Sequence, residues 1–510
     1  MDKRKSILNV SVSIISRILL LLVALFVRRT LIQQIGNEAN GLNSLFASII
    51  GTLSVVELGI GRAIVYSMYS PIIADDKNQI AALYCLYKKL YQIIGILIFA
   101  GGLAVMPFLP RLISDYVDLS INVYLTFFLT LISVVLTYFY SAKTSLIEAY
   151  KDNFVTTIIL SVARLIKYGL QIGAIMIWHS FPAFLVCQII ETLLIWEMTT
   201  AVAQKKHREV ISIRTSLDKE KKEEIVHNVK AMVMHKIGNI MVAGIDSIII
   251  SGFIGVNVLG KYNNYTYIAG MMAGIIALFF TPLTSVVGHF CAVGNTNQIK
   301  KWFDHFYFLN YVLGMVFFLG YYAVIDNLVS LLFGMGLSVS RPIVFVISLN
   351  QFTVFLRNAT LLFRNASGTF YFDRWKPLFE GVVNLALSLT FVLLFPDELR
   401  IVGVIVATII TTLLICDTVE PFVIFRHVFK QSPSKFCVKN YTYIGLFVLG
   451  LVIVSALLQE VSNPLTGILV NGSIAVMVSF IVFGLLTLLD KSFRDEVRAV
   501  WEKATKRFSP

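Results

Sequence analysis

The chain has 510 residues, of which 57% are hydrophobic and 14% charged; 43 Lys and Arg against 30 Asp and Glu leave a net charge of +13. Soluble proteins carry about 25% charged residues, so this shortfall excludes a water-soluble enzyme, a nucleic-acid binder and a disordered chain. The basic residues flank long apolar runs, which suits a membrane surface rather than nucleic acid.

A spanning helix needs roughly 20 mainly apolar residues. Such runs fall at 7–27, 42–66, 87–108, 119–141, 155–178, 182–203, 233–254, 263–290, 303–325, 343–363, 377–395, 401–419, 441–459 and 465–489. They predict an all-α polytopic membrane protein with about 14 transmembrane helices, to within a few residues at each boundary. The first run is long and no A-x-A site follows it, so it reads as a span and not a cleaved signal. With the N-terminus inside, 32 Lys and Arg fall on the inner side, six on the outer side and five within spans. That asymmetry predicts a multi-pass protein with both termini cytoplasmic. The longest gap, 204–232, is basic, and no outer loop is large enough to fold as a soluble catalytic domain. The five cysteines show no metal-ligand spacing and read as buried thiols.

Charges inside the spans carry the functional signal, because a basic residue at the bilayer centre costs at least ~2.5–3.5 kcal/mol. Span 1 holds Arg17 near its middle, on a polar stripe with Asn9, Ser13 and Ser16. Span 2 holds Glu57 and Arg62, five apart and so on different faces, and closes on Tyr66 and Tyr69. Span 5 aligns Arg164, Lys167, Tyr168 and Gln171. Span 7 carries His235, Lys236, Asn239 and Asp246, and Tyr262, Tyr265 and Tyr267 open span 8. Span 10 carries Asn350, Thr353, Arg357 and Asn358.

Each feature has a plain structural reading. The cations can be locked to Glu57, Glu148, Glu191 or Asp246, and Arg62 and Lys236 are near enough to the inner ends to snorkel. The tyrosines fit an interfacial belt. The functional reading is that Arg17, Arg62, Lys236, Arg164, Lys167 and Arg357 bind an anionic cargo, since the guanidinium fork suits phosphate oxygens and stays charged. Asp246 and Glu57 are the candidates for Na⁺ or H⁺ coupling, and Tyr66, Tyr262 and Tyr265 for stacking on sugar. No cofactor, metal site or nucleic-acid partner is expected.

Shifting the chain by 219 residues lays 7–80 on 226–299. Identities appear at Asn9/Asn228, Ile18/Ile237, Gly36/Gly255, Gly41/Gly260, Gly51/Gly270 and Asn78-Gln79-Ile80/Asn297-Gln298-Ile299, and Arg17 meets Lys236. Six spans separate the copies, so the repeat is parallel, as in several transporter folds. The expected organisation is an N-lobe over 1–203, a basic linker over 204–232, a C-lobe over 233–430, and two further helices with a basic tail over 431–510. Two such lobes around a central cavity suit alternating access.

The run NGLNSLFASIIGTLSVVELGIGRAIVYSMYSPI (40–72), followed by Asp75-Asp76-Lys77 and Gln79-Ile80, resembles the Wzx-type polysaccharide-biosynthesis flippases of the MOP exporter superfamily. The motif likeness covers about residues 1–90; beyond that it rests on length and span count. It implies two pseudo-symmetric six-helix lobes plus two C-terminal helices. It also implies a polyprenyl-diphosphate-linked oligosaccharide as cargo, flipped from the inner to the outer leaflet of the bacterial cytoplasmic membrane for capsule, exopolysaccharide or O-antigen assembly. A glycan polymerase and glycosyltransferases of the same pathway, and the surrounding lipid, would then be partners. Diphosphate contact carries over to Arg17, Arg62 and Lys236 only; for Arg164, Lys167 and Arg357 it follows from depth. A cation-coupled multidrug exporter of the same superfamily is the alternative.

Overall fold

The computed structural model describes residues 3–54, 60–217, 244–280, 283–293 and 296–508. All regular structure in that set is helical. The first seven helices are α1 (Lys3–Gln34), α2 (Asn37–Leu53), α3 (Ile60–Ile73), α4 (Lys77–Val105), α5 (Val123–Ala149), α6 (Asn153–Trp178) and α7 (Phe181–Ser212). A short apolar helix, α8 (Gly244–Phe253), follows. The rest are α9 (Val256–Phe280), α10 (Leu283–Val293), α11 (Thr296–Phe333), α12 (Arg341–Leu356), α13 (Asn358–Ala366), α14 (Lys376–Leu394), α15 (Arg400–Thr411), α16 (Asp417–Ile424), α17 (Ser434–Leu457), α18 (Pro464–Leu489) and α19 (Lys491–Phe508). Among the described residues, ten helical segments are long and apolar enough to cross a membrane. The protein is an all-α polytopic membrane protein.

The sequence marks these helices locally. The Asp76 side chain accepts from Gln79 N at the start of α4, and Asn122 accepts from Leu125 N at the start of α5. Ser180 and Asn463 cap α7 and α18, each with a proline in the first turn. α7 runs nine residues past the predicted end of span 6, taking the start of the basic stretch 204–232 into the helix. Its polar extension is anchored by ion pairs of Lys206 with Asp152 and of Glu209 with Lys77 at 2.6 Å. Residues 218–232 lie outside the described set. Span 12 divides into α15, a π-helical turn at Thr412–Cys416, and α16.

The chain forms two compact units, Met1–Asn263 and Asn264–Pro510. In the first, α6 packs between α1 and α7, and α5 packs against α4 and α7. In the second, α11 packs against α12, α17 and α18, and α14 packs against α15.

The 219-residue repeat is visible in backbone geometry within the first unit. Gly36 and Gly255 both have φ in the left-handed region, at +114° and +132°. Each ends a helix by the same pattern: the amides of Ile35 and Gly36 return to Leu31 O, and those of Ile254 and Gly255 to Ile250 O. The helices that follow, α2 and the first turns of α9, then cross at the matched glycines. A Cβ on Gly41 would lie 2.1 Å from Val256 O, and one on Gly260 would lie 2.5 Å from Asn37 O. Asn37 Nδ2 donates to Asn257 O at 2.8 Å, and Asn40 Nδ2 to Gly260 O at 3.0 Å. Each copy thus presents its glycine to the backbone of the other, the relation a two-fold axis imposes.

Candidate functional site

The described in-span cations fall into two groups of different electrostatic character. In the first unit, Arg164 and Lys167 stand on α6 opposite Glu191 on α7. Lys167 Nζ lies 2.8 Å from Glu191 Oε2, and Arg164 Nε lies 3.5 Å from Oε1. One carboxylate therefore serves two cations. The Arg164 side chain is 49% exposed while Lys167 is 14% exposed, so the lysine is the better buried partner. Lys167 also lies 4.7 Å from the centre of the Tyr168 ring. The apolar cluster of Tyr140, Ile159, Ala163 and Ile195 holds α6 against α7 beside this triad. One turn away in α5, Lys143 Nζ donates to Thr200 Oγ1 at 2.7 Å.

The second unit holds a larger cluster around Glu420 of α16, which is fully buried. Glu420 Oε1 accepts from Arg357 Nη2 and from Lys376 Nζ, each at 2.6 Å, and Oε2 accepts from Arg357 Nε at 3.2 Å. Arg364 Nη1 lies 3.8 Å from Glu420 Oε1 and donates to Asp373 Oδ2 at 2.6 Å. Lys376 Nζ also lies 3.1 Å from Glu380 Oε2. Three cations face these three carboxylates, so each cation of the hub has a counter-charge.

The remaining predicted positions divide as follows. Arg17 and Arg62 lie in the helical backbone of α1 and α3, but their side chains are outside the described set, as are Glu57 and Lys236 altogether. α1 packs along α6, and positions 17 and 164 each fall near the middle of their helix. Asp246 is half-buried in α8. Tyr66 is exposed and meets Tyr69 edge-on at 6.2 Å. Tyr262 and Tyr265 are buried, and the Tyr265 hydroxyl donates to Asp326.

Sequence reading missed Arg364, Lys376 and Glu420, and the reason is plain. Each stands one residue outside a predicted span (343–363, 377–395 and 401–419), so each counted as a loop charge. The available signal was that opposite charges cluster at the three adjoining span ends.

No family model and no curated protein matches this sequence. Solved structures do match. One is the "Lipid II flippase MurJ, inward closed conformation", with a TM-score of 0.65 at 12% identity, covering 94% of this chain and 99% of that one. Another is a multidrug resistance MATE family transporter of the MOP superfamily in an inward-facing conformation, with a TM-score of 0.57 at 12% identity over 84% and 95% of the two chains. The fold is similar to that of these two transporters. At these identities the likeness carries architecture, and function has to be argued from the residues.

Proposed function

We propose that this protein is a flippase for a lipid-linked oligosaccharide whose headgroup is anionic, in the chemistry of a polyprenyl diphosphate. The observation that carries this reading is the Arg164–Lys167–Glu191 triad, where two basic side chains at mid-span share one carboxylate. Keeping a charge there is costly in a bilayer, and an uncompensated one needs water or a counter-charged ligand. The headgroup of the cargo is that ligand. Arg164 offers a planar fork to phosphate oxygens, and Lys167, held by Glu191, adds a point charge beside it. Arg17, on the helix packed against α6, is assigned to the same headgroup, with Arg62 and Lys236 from the resemblance of residues 1–90 to polysaccharide flippases.

No covalent chemistry is required. Basic groups replace water around the diphosphate, the lipid tail stays in hydrocarbon, and the two halves of the repeat alternate in access. Where the membrane potential is negative inside, outward movement of negative charge gains about 2.3 kcal/mol per charge per 100 mV if the full field is crossed. Asp246 is the described candidate for ion coupling. A polymerase and glycosyltransferases acting on the same glycan are the proposed partners.

The likeness to a multidrug exporter fold favours a second reading, cation-coupled drug export. One experiment separates them: the gene expressed in a host lacking its own flippase, with surface polysaccharide and drug susceptibility read together. The flippase reading expects polysaccharide restored by the wild type, lost in Arg164→Ala and retained in part by Arg164→Lys, with drug susceptibility unchanged. Drug resistance without restored polysaccharide reverses the order of the two readings.

A further inference from the structure

We infer that α19 is an interfacial helix that binds anionic lipid headgroups at the membrane surface where α18 ends. The inference stands on membrane embedding alone and does not depend on the transported cargo.

The place of the helix comes from its attachment. α18 is a spanning helix whose last residues, Leu488 and Leu489, are 75% and 70% exposed, as side chains facing lipid are. The chain turns at Asp490, whose carboxylate accepts from Ser492 N at 2.8 Å and from the Tyr443 hydroxyl at 2.7 Å. Burial acts to raise the Asp490 pKa, but the Tyr443 bond and the charge of Lys439 outweigh it and hold it below the usual carboxylate range. Arg494 Nε and Nη2 donate to Thr487 O and Leu488 O, closing the end of α18. Phe493 is buried against Phe308 at 4.9 Å, and His305 Nδ1 lies 2.8 Å from Glu496 Oε2. The first two turns of α19 are thus fixed to α11, α17 and α18.

Beyond those turns the sequence pattern changes its partner. Positions 493, 497, 500, 501, 504 and 508 are Phe, Val, Val, Trp, Ala and Phe. At 3.6 residues per turn they form one stripe about 100° wide. Phe493 spends its part of that stripe on the bundle, but Val497, one turn on, is 37% exposed. Six Lys and Arg accompany three Asp and Glu in the helix. Helical spacing puts Arg494 and Arg498 along one border of the stripe and Lys503 and Arg507 along the other. Glu496 is engaged by His305, while Asp495 and Glu502 fall on the side opposite the stripe. Four of the helix's six cations border the apolar stripe, two of its three acids lie opposite with Lys491 and Lys506, and Glu496 on a border is paired with His305. This arrangement fits a helix lying among anionic headgroups. A protein partner of mixed charge would not require that sorting.

The test uses the full-length protein with its five cysteines replaced by serine and a nitroxide attached through Val497→Cys. It is reconstituted in phosphatidylcholine vesicles with and without phosphatidylglycerol, and collision rates with oxygen and with a water-soluble nickel chelate are compared. The expected result is a several-fold rise in the oxygen-to-nickel ratio when phosphatidylglycerol is present. The rise should weaken with salt and vanish in the triple variant Arg498→Glu, Lys503→Glu, Arg507→Glu. If that variant does not fold, the comparison of the two vesicle compositions decides alone. A label equally open to nickel in both compositions overturns the inference. So does a label shielded from both reagents in both, which would mean that protein covers the stripe.

Discussion

At the scale of single residues, the two charged groups call for opposite treatment. In the Glu420 hub three cations and three carboxylates are largely withdrawn from water and pair with one another. Removing one partner from such a network strands the others, at a cost of about 3–5 kcal/mol. Glu420→Ala should therefore lower the thermal midpoint in detergent sharply, and Arg357→Ala should do the same, whatever cargo is present. Arg164 behaves differently, because Lys167 holds the shared carboxylate at the shorter distance and Arg164 is half exposed. Arg164→Ala should leave the thermal midpoint nearly unchanged while transport is lost. A large fall in stability would class it with the hub. The sequence showed Arg164, Lys167 and Arg357 as in-span charges because each stands alone in an apolar run. It did not tell a hub from a site, since that depends on which acids the fold brings near. Glu191 was legible as a partner, and Glu420, just past the end of its run, was not.

At the scale of elements, the crossing of α2 with the first turns of α9 brings two backbones into close contact. Gly41→Ala would place a methyl 2.1 Å from Val256 O, where only helix separation relieves the clash. Overpacking of this kind costs about 1–3 kcal/mol, and hydrogen exchange at amides 37–42 and 256–261 should accelerate in that variant. Asp115 caps α9, accepting from Val256 N at 2.9 Å and Asn257 N at 3.4 Å. Asp115→Ala should cost about 1 kcal/mol and fray the same turn. Nearby Glu38 is pushed above its ordinary value of 4.5, first by burial and then by the charges of Asp115 and Asp118. A carboxyl raised on folding binds more protons in the folded state, so its stabilising contribution is full below 4.5 and falls as pH climbs toward the folded value. Glu38→Gln should remove that slope, which melting at acid and neutral pH would reveal as a flatter profile. The matched glycines were legible as identities at a fixed shift. Their role as reciprocal contacts was not, because a helical glycine in an apolar run reads equally as a packing site or a bend. The Asp115 cap was hidden too, since it joins residues about 140 apart.

At the scale of the molecule, fold class was the most legible feature. Span length acts through general membrane physics, and the ten described spanning segments fall on predicted apolar runs, whereas α19 lies beyond the last of them. Helix ends were less legible: α7 extends to Ser212 because its polar residues pair with Asp152 and Lys77, which hydropathy does not see. Cargo is the least legible, because the solved structures this fold resembles include both a lipid II flippase and a multidrug transporter. The most direct measurement is uptake by proteoliposomes of a fluorescent lipid carrying a sugar diphosphate, beside the same lipid with a neutral headgroup. The account predicts flipping of the diphosphate lipid only, lost in Arg164→Ala and kept in Arg357→Lys if that variant folds. Equal movement of the neutral lipid, or full activity of Arg164→Ala, would contradict it.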